Sequence, residues 1–410
     1  MLFLYDLGIH VYRFVIGLAS LKNKKAAAWI NGRKDLLYHI GNQLPAHENR
    51  VWFHFASLGE FEQGRPVLEG IKIKHPGISI VITFFSPSGY EVRKDYKLAE
   101  HVFYLPLDTQ KNASEFITLI NPAFAVFTKY EYWYHYFAEL QQKEIPLFIV
   151  SGIFRKNQPF FKWYGSLHRR MLHMVSHFFV QNEASKELLN TLGLTNVTVT
   201  GDTRFDRVVK NSNQPVPVPE VGKFCRNKKT FIAGSTWPED EALLASLTAD
   251  NPDWKFIVAP HETHNEHILQ VEKIFPNSVK LSEIKTHDTN KQVLIVDSIG
   301  LLSNLYQYGD IAYIGGGFGV GIHNTQEAAA FGLPVIFGPN FNKFQEAVDM
   351  IELGSAFSIQ NSADLLKRMQ YLTDDGVRLK AGRIAKDYIL KNAGATDIIL
   401  EHLENKGFFR

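Results

Sequence analysis

The chain has 410 residues, of which 45% are hydrophobic and 21% charged, and its formal net charge is +2. This length and composition are typical of a globular protein with two domains, and so small a net charge gives no overall support for nucleic-acid binding. The single cysteine, Cys225, excludes an internal disulfide bond and favours a reducing compartment.

The first 20 residues are mostly apolar, but Asp6, His10 and Arg13 interrupt them. Their spacing places these polar groups on one face of a helix, and an isolated membrane-spanning helix would accommodate them poorly. Five basic residues follow: Lys22, Lys24, Lys25, Arg33 and Lys34. We therefore predict that the N-terminal segment is a helix anchored on an anionic cytoplasmic membrane surface. A helix that packs on its own domain is the alternative.

From residue 50 onward, short apolar runs alternate with amphipathic stretches of helical length, which predicts an α/β protein with doubly wound parallel sheets. The predicted strands lie at 51–55, 78–84, 102–104, 123–127, 146–150, 177–180 and 197–199 in the first half, and at 230–233, 255–259, 293–296, 311–314 and 335–337 in the second. Two Rossmann-like domains in tandem predict a ligand cleft between them, at the carboxyl ends of the strands.

A proline-rich, polar segment separates the two series of strands and is typical of an interdomain linker. The predicted division is a membrane-associated segment (1–35), a first Rossmann-like domain (36–210), the linker (211–219), a second Rossmann-like domain (220–395) and a C-terminal helix and tail (396–410).

Polar residues follow the predicted strands of the first half. Glu60 starts a helix after the first strand, where its carboxylate can serve as a base in the cleft or merely complement the helix dipole. Ser86 and Ser88 form a turn after the second strand. Glu131, among aromatic residues, can shape a pocket for an acceptor or be a solvated acid at the edge of the core.

Basic and aromatic residues are densely mixed in segment 154–170. Arg155 and Lys162 can bind phosphates while the neighbouring aromatic rings lie at a lipid interface. An amphipathic helix with ordinary core aromatics is the alternative. RNA binding would use similar residues, but no RNA-binding motif accompanies them, so we favour a lipid phosphate.

The stretch 311–347 is typical of a nucleotide site. A predicted strand ends in three glycines, Gly315 to Gly317, where backbone can approach a ligand closely. Asn324 is predicted to cap the next helix, with Glu327 completing a capping box, and the start of that helix suits a phosphate. Glu327 can also accept hydrogen bonds from ribose hydroxyls. The spacing matches neither the dinucleotide fingerprint nor the P-loop, so a simple tight turn stays open.

Two further sets of residues follow strands of the second half. Ser235 and Thr236 can cap a helix or offer hydroxyl and N–H groups to a phosphate. His261, Glu262 and His264 resemble a zinc site in composition, but their spacing does not match HExxH and a third ligand is not evident. We therefore predict neither a metal nor a cofactor.

These segments, in this order, resemble the Kdo transferase family, whose members are GT-B glycosyltransferases that add 3-deoxy-D-manno-octulosonic acid (Kdo) to a lipid A precursor. The matching motifs are FHFASLGE, SPSG, EYW, QNE, GDTRFD, GST, GGGF, GIHNTQEAAAFGLPVIFGP and NAGAT. The resemblance extends from the N-terminal segment to about residue 396.

The resemblance implies an inverting transfer of Kdo from CMP-Kdo to lipid IVA in lipopolysaccharide core synthesis, with Glu60 as the general base. It places the enzyme on the cytoplasmic face of the inner membrane. The implied donor site comprises Gly316, Gly317, Asn324, Glu327, Ser235, Thr236, Arg204 and His261. We assign to the acceptor the residues Ser86, Ser88, Glu131, Arg155 and Lys162.

The chain departs from the family pattern at two motifs. The family commonly has Trp-Pro-Asn where this chain has Trp133, Tyr134 and His135, and Arg-His-Pro-Glu where it has 260–263. These departures affect acceptor detail and the role of His261. The alternatives are another GT-B enzyme, such as a UDP-sugar transferase or a UDP-GlcNAc 2-epimerase, and a noncatalytic nucleotide-binding membrane scaffold.

Overall fold

The computed structural model describes residues 1–45, 49–129, 131–284 and 290–409. The chain divides into two compact units, of which unit 1 is Met1–Asp206 with Gly394–Arg410 and unit 2 is Arg207–Ala393. Each unit contains a seven-stranded parallel sheet with helices. The prediction of two Rossmann-like, doubly wound domains is therefore confirmed.

The sheet of unit 1 has the strand order β3-β2-β1-β4-β5-β6-β7. Its strands are β1 (Arg50–Phe55), β2 (Ser79–Phe84), β3 (His101–Tyr104), β4 (Pro122–Thr128), β5 (Leu147–Gly152), β6 (His177–Val180) and β7 (Val197–Val199). All residues of β1, β2 and β5 are buried, as expected for strands covered by helices on both faces. The strand order reverses between β1 and β4, so the carboxyl ends of these two strands border the crevice where ligands bind in such sheets.

The helices of unit 1 include the C-terminal one. They are α1 (Leu2–Ala19), α2 (Lys24–Asn31), α3 (Leu36–Gln43), α4 (Leu58–Lys74), α5 (Pro87–Arg93), α6 (Gln110–Ile120), α7 (Tyr134–Gln142), α8 (Ser166–Leu172), α9 (Glu183–Asn190) and, after unit 2 in the chain, α19 (Ala395–Asn405). Ile399, Leu400 and Leu403 of α19 join the buried core on one face of the sheet. The C-terminal helix therefore completes the hydrophobic core of unit 1.

The sheet of unit 2 has the strand order β10-β11-β9-β8-β12-β13-β14 and reverses between β8 and β12. Its strands are β8 (Thr230–Thr236), β9 (Lys255–Pro260), β10 (Ser278–Lys280), β11 (Val293–Ile295), β12 (Ile311–Ile314), β13 (Val335–Phe337) and β14 (Ala356–Ser358). Its helices are α11 (Pro219–Cys225), α12 (Pro238–Asp250), α13 (Asn265–Ile274), α14 (Leu302–Leu305), α15 (Gln326–Ala330), α16 (Gln345–Glu352), α17 (Ser362–Thr373) and α18 (Asp375–Asn392). Helix α10 (Thr203–Asn213) begins in unit 1 and ends in unit 2.

The sequence located twelve of these strands and missed β10 and β14. Both are three-residue strands at the two edges of the unit 2 sheet, and β10 is only partly buried, so neither gives a clear apolar run. Of the predicted linker, residues 214–218 lie between helices, because α10 continues to Asn213 and α11 begins at Pro219.

Candidate functional site

The first candidate residue, Glu60, lies in the first turn of α4, directly after β1. The hydroxyl of Ser57 donates a hydrogen bond to its Oε2 atom. Ser57 is the N-cap residue of α4 but makes no capping bond with its side chain, so its hydroxyl serves the carboxylate instead. Glu60 is half-buried, at the crevice formed where the strand order reverses. A carboxylate in this position can accept a proton from a bound hydroxyl.

A buried hydrogen-bonded chain fixes Glu131, which follows β4. Its Oε2 atom accepts a hydrogen bond from Trp133 Nε1 at 2.9 Å and lies 3.2 Å from His54 Nε2. His54 Nδ1 is 2.9 Å from Thr83 Oγ1, which accepts from Trp52 Nε1 at 2.8 Å. The side chain of Glu131 is 15% exposed, and its partner His54, which was not predicted from the sequence, is fully buried.

The other predicted acceptor residues lie at separate places in unit 1. The hydroxyls of Ser86 and Ser88 are 2.6 Å apart at the start of α5. Arg155 lines a cavity of about 470 Å³, and its backbone N–H donates to Gln158. The carbonyl of Lys162 accepts from Arg169, and the next residue, Trp163, is 91% exposed.

Arg204 lies at the start of α10 in unit 1, where it pairs with the buried Asp202. Its Nε and Nη2 atoms lie 2.9 and 2.8 Å from Asp202 Oδ2. Burial pushes the pKa of Asp202 upward, but the guanidinium more than offsets this, so that its pKa lies below the ordinary value. Gln63 also donates to this carboxylate, which is therefore ionised and has hydrogen-bond donors at both of its oxygen atoms.

The glycine loop after β12 approaches neighbouring backbone closely. A Cβ atom on Gly315 would overlap the carbonyl oxygen of Ser235 and lie 2.7 Å from Thr236 Cα. Gly316 has a φ of +88°, in the left-handed region that favours glycine. A Cβ atom on Gly317 would lie 2.6 Å from the backbone nitrogen of Gly338. The three glycines are therefore required by the packing of this loop.

Ser235 and Thr236 end β8 next to this loop, and the two residues differ in their exposure to solvent. Ser235 has a φ of +54° at an irregularity in the pairing of β8 with β9. Thr236 is fully buried, and its hydroxyl donates to Glu241 Oε1 at 3.0 Å. His267 Nε2 lies 3.0 Å from the same oxygen. The hydroxyl of Thr236 thus holds a buried carboxylate, and burial raises the pKa of that carboxylate.

Asp240, which was not predicted from the sequence, joins the glycine loop to the start of α12. Its carboxylate accepts hydrogen bonds from the backbone N–H groups of Gly316 and Trp237, both at 2.9 Å, and from the hydroxyl of Tyr313 at 2.6 Å. Burial raises the pKa of Asp240, although these three donors act in the opposite direction. The sequence signal was limited to an acidic residue in the first turn of a helix.

The predicted capping box at Asn324 is wrong. The N-cap of α15 is Thr325, whose side chain makes no capping bond. Asn324 Oδ1 accepts from Gln326 N at 2.9 Å, and its amide donates to Glu327 Oε1 at 3.3 Å. The asparagine therefore forms a local turn one residue before the N-cap, and its side-chain amide holds the Glu327 carboxylate.

Three flat rings stack beside the glycine loop. His261 lies between Trp237 and His323, with ring centroids 4.8 and 4.4 Å away and interplanar angles of 23° in both pairs. Trp237 Nε1 donates to His323 Nε2 at 3.1 Å, which leaves the imidazole proton on Nδ1. Burial and the neighbouring His261 lower the pKa of His323 to about 4. The stack therefore contains a neutral His323 at physiological pH.

In the part of the chain that the structure describes, no group of three His, Cys, Asp or Glu side chains is arranged to hold a metal ion. His264 Nε2 lies 3.3 Å from Glu262, and both are exposed. His261 is instead part of the stack of rings.

Helix α1 has an apolar face that points away from the rest of unit 1. Seven side chains on this outer face are 48 to 75% exposed: Phe3, Leu4, Leu7, Val11, Phe14, Val15 and Leu18. On the inner face, Tyr5 donates to Asp108, and Asp6 Oδ1 lies 2.6 Å from His135 Nε2. By length and composition alone α1 could cross a membrane, and it is the one such helix among the described residues.

Arg33 does not contribute to a basic membrane-facing surface, contrary to the prediction. Its guanidinium donates to the backbone carbonyls of Leu105, Trp29 and Phe85 at 2.8, 3.1 and 2.7 Å. It also lies 4.0 Å from the centre of the Trp29 ring. Burial lowers its pKa to about 9. Lys22, Lys24, Lys25 and Lys34 remain exposed near α1.

Comparisons with known proteins show which sequences this chain is similar to. Residues 31–207 match a family model described as 3-deoxy-D-manno-octulosonic-acid transferase (kdotransferase). The chain is 26% identical to the 3-deoxy-D-manno-octulosonic acid transferase of Haemophilus influenzae, over 95% of this chain and 94% of that protein. It is 27% identical to the transferase of the same name from Aquifex aeolicus, over 78% and 85%. This chain is also 26% identical to a bifunctional glycosyltransferase/methyltransferase of Fusobacterium nucleatum. The match covers 80% of this chain but only 53% of that protein.

Solved structures show the fold. A UDP-GlcNAc 2-epimerase from Neisseria meningitidis, bound to UDP-GlcNAc, has a TM-score of 0.62 and 16% identity, over 87% of this chain and 100% of that one. A glycosyltransferase from Rickettsia africae has a TM-score of 0.57 and 15% identity, over 88% and 99%. At these identities the likeness concerns the fold alone, which is GT-B.

Proposed function

We propose that this chain is a glycosyltransferase of the Kdo transferase family and that it transfers Kdo from CMP-Kdo to a lipid A precursor such as lipid IVA. The observation that carries the proposal is the similarity to the Haemophilus influenzae transferase, which extends over 94% of the length of that protein. A match confined to the nucleotide-binding unit would support only a shared fold. Here the family model covers residues 31–207, which lie almost entirely in unit 1, and the relative extends through unit 2.

The proposed donor site is the carboxyl edge of the unit 2 sheet. Gly316 and Gly317 bring backbone close to the cytidylate, and Glu327, held by Asn324, accepts from its ribose hydroxyls. Negative charge develops on the phosphate as the bond to the sugar breaks. Backbone N–H groups at Ser235 and Thr236, together with the side chain of His261, are proposed to stabilise that charge.

The proposed acceptor site lies at the carboxyl edge of the unit 1 sheet. Glu60 is the proposed catalytic base, which takes the proton from the acceptor hydroxyl as that oxygen attacks the anomeric carbon. Ser57 orients the carboxylate through its hydrogen bond. A single displacement of this kind inverts the configuration at the sugar. Ser86, Ser88, Glu131, Arg155 and Lys162 are the proposed contacts of the phosphorylated lipid.

The acceptor is a lipid, so the enzyme has to work at a membrane surface. The outer face of α1 is apolar and exposed, and four exposed lysines follow it. Apolar burial together with attraction to anionic headgroups favours attachment to the membrane. We place the enzyme on the cytoplasmic face of the inner membrane.

The test is transfer of isotope-labelled Kdo from CMP-Kdo to lipid IVA in vesicles, with the product identified by mass spectrometry. Glu60→Gln should slow transfer by about 10² to 10⁴-fold, the usual contribution of a general base, and leave CMP affinity unchanged. Glu115→Gln, an exposed carboxylate on α6, is the matched control and should retain activity. Absence of the labelled lipid with the wild-type enzyme, or tighter binding of UDP than of CMP, would overturn the proposal.

A further inference from the structure

One carboxylate in unit 2 makes more hydrogen bonds than its place in a helix requires. Asp240 is 1% exposed in the first turn of α12. Its bond from the Trp237 N–H is half of a capping box and would suffice to start the helix. The same oxygen, Oδ2, also accepts from the N–H of Gly316, and Oδ1 accepts from the hydroxyl of Tyr313. The carboxylate therefore joins α12, β12 and the glycine loop.

The bond to Gly316 fixes the loop at its most constrained point. Gly316 has a φ of +88°, and the residue before it already touches the backbone of β8. A buried N–H group needs an acceptor, and Asp240 supplies one at 2.9 Å. Without that acceptor, the buried N–H group of Gly316 would lack a hydrogen-bond partner. The peptide between Gly315 and Gly316 would then have to turn toward another acceptor. The direction of the loop backbone thus depends on this carboxylate.

The hydrogen bond from the Trp237 backbone also connects Asp240 to the stacked rings. The Trp237 indole donates to His323 Nε2, and the two rings enclose His261. His323 also lies against the glycine loop, since a Cβ atom on Gly316 would be 3.1 Å from its Cδ2 atom. A shift of the Trp237 backbone would therefore move His323, which directly precedes Asn324.

We propose that Asp240 is a positioning residue that sets the glycine loop and the ring stack of Trp237, His261 and His323 in the arrangement that binds the nucleotide. The statement about the nucleotide rests on the proposed function, in which this loop binds the cytidylate of the donor. A carboxylate that only capped α12 would contribute to stability and leave the affinity of the folded protein for CMP unchanged.

Asp240→Asn on the full chain tests the proposal. The amide has nearly the same shape but no charge and only one oxygen. That oxygen can still accept from Gly316 and Trp237, but as neutral hydrogen bonds of about half the strength, and the acceptor for Tyr313 is lost. Glu241→Gln is the matched control, because that adjacent buried carboxylate bonds Thr236 and His267. Tyr313→Phe is a second control, since it removes the bond at Oδ1 and keeps both bonds at Oδ2.

We expect the CMP dissociation constant, measured by calorimetry on folded protein, to rise at least about tenfold in Asp240→Asn, the scale of one hydrogen bond to a charged group. It should rise less than threefold in either control. Exchange of the Gly316 amide proton should become faster in Asp240→Asn, and the ¹⁵N shifts of His323 should lose the pattern of a ring protonated on Nδ1 alone. These two NMR readouts do not require CMP.

Different outcomes separate this inference from the proposed function. Wild-type protein that binds no CMP would overturn the proposed function, while the Gly316 exchange rate would still decide whether Asp240 sets the loop. Folded Asp240→Asn with unchanged CMP affinity and unchanged Gly316 exchange would overturn the inference alone. If Asp240→Asn does not fold, Trp237→Phe tests the second connection, because it keeps an aromatic ring but removes the bond to His323. Unchanged CMP affinity in that variant would then refute the proposal.

Discussion

Replacing two phenylalanines on the outer face of α1 with serine should release the protein from membranes. Phe3 and Phe14 are 75% and 66% exposed, so most of each ring is available to enter a lipid surface. Full burial of a phenylalanine stabilises by about 1.5 to 3 kcal/mol, which these exposures reduce to about 1 to 2 kcal/mol for each ring. The double variant should therefore lose about 2 to 4 kcal/mol of binding free energy, a factor of roughly 30 to 1,000.

The assay is co-sedimentation with vesicles of anionic and of zwitterionic lipids, over a range of lipid concentrations. Ile73→Ser with Leu379→Ser is the control, since these side chains are 69% and 64% exposed but lie outside α1. CMP affinity should be unchanged in both double variants, which shows that each is folded. Equal loss of vesicle binding in the control, or no loss in the α1 variant, would refute the assignment of this face to the membrane.

Three further predictions concern the two sheets. Gly315→Ala should abolish CMP binding in calorimetry, because its Cβ atom would overlap the backbone of Ser235. Gly319→Ala is the control and should bind CMP normally, because its Cβ atom would lie 3.7 Å from the nearest neighbour. Leu400→Ala should destabilise unit 1 by about 2 to 5 kcal/mol in denaturant unfolding, since this side chain is 3% exposed, while Ile398→Ala on the exposed side of α19 should cost less than about 1 kcal/mol. Burial, His402 and Lys406 lower the pKa of His177 to about 4, below the unfolded value of 6.5. The unfolded chain therefore takes up the proton first, so unit 1 should lose stability as the pH falls from about 6.5 to about 4. His177→Phe should flatten that part of the profile of melting temperature against pH, and an unchanged slope would contradict the stated cause.

Some features of the proposed donor site were predictable because short sequence patterns determine them. The apolar run at 311–314 followed by three glycines predicted a buried strand and a tight loop, and the structure places both there. The residues that support the loop were not predictable in this way. Asp240 lies 76 positions before Gly316, and in sequence it is indistinguishable from any acid in the first turn of a helix.

The same distinction applies to charged and polar residues elsewhere. Arg33 follows three lysines in segment 1–35, precedes a fourth and was grouped with them, but it is enclosed by three carbonyl groups, two of them from distant parts of the chain. His54 lies in a strand whose apolar pattern was clear, yet its link to Glu131 depends on a residue 77 positions away. A polar side chain gives no periodic signal that identifies its partner.

The sequence by itself determined the alternation of strands and helices, the position of the glycine loop and the family resemblance, because burial repeats along the chain and leaves a local pattern of apolar residues. Tertiary structure alone decided that α19 completes the core of unit 1, that the outer face of α1 stays exposed and that Asp240 holds the glycine loop. Each of these depends on which distant segments lie side by side. That choice is set by the packing of whole sheets and helices, and local hydrophobic periodicity does not encode it.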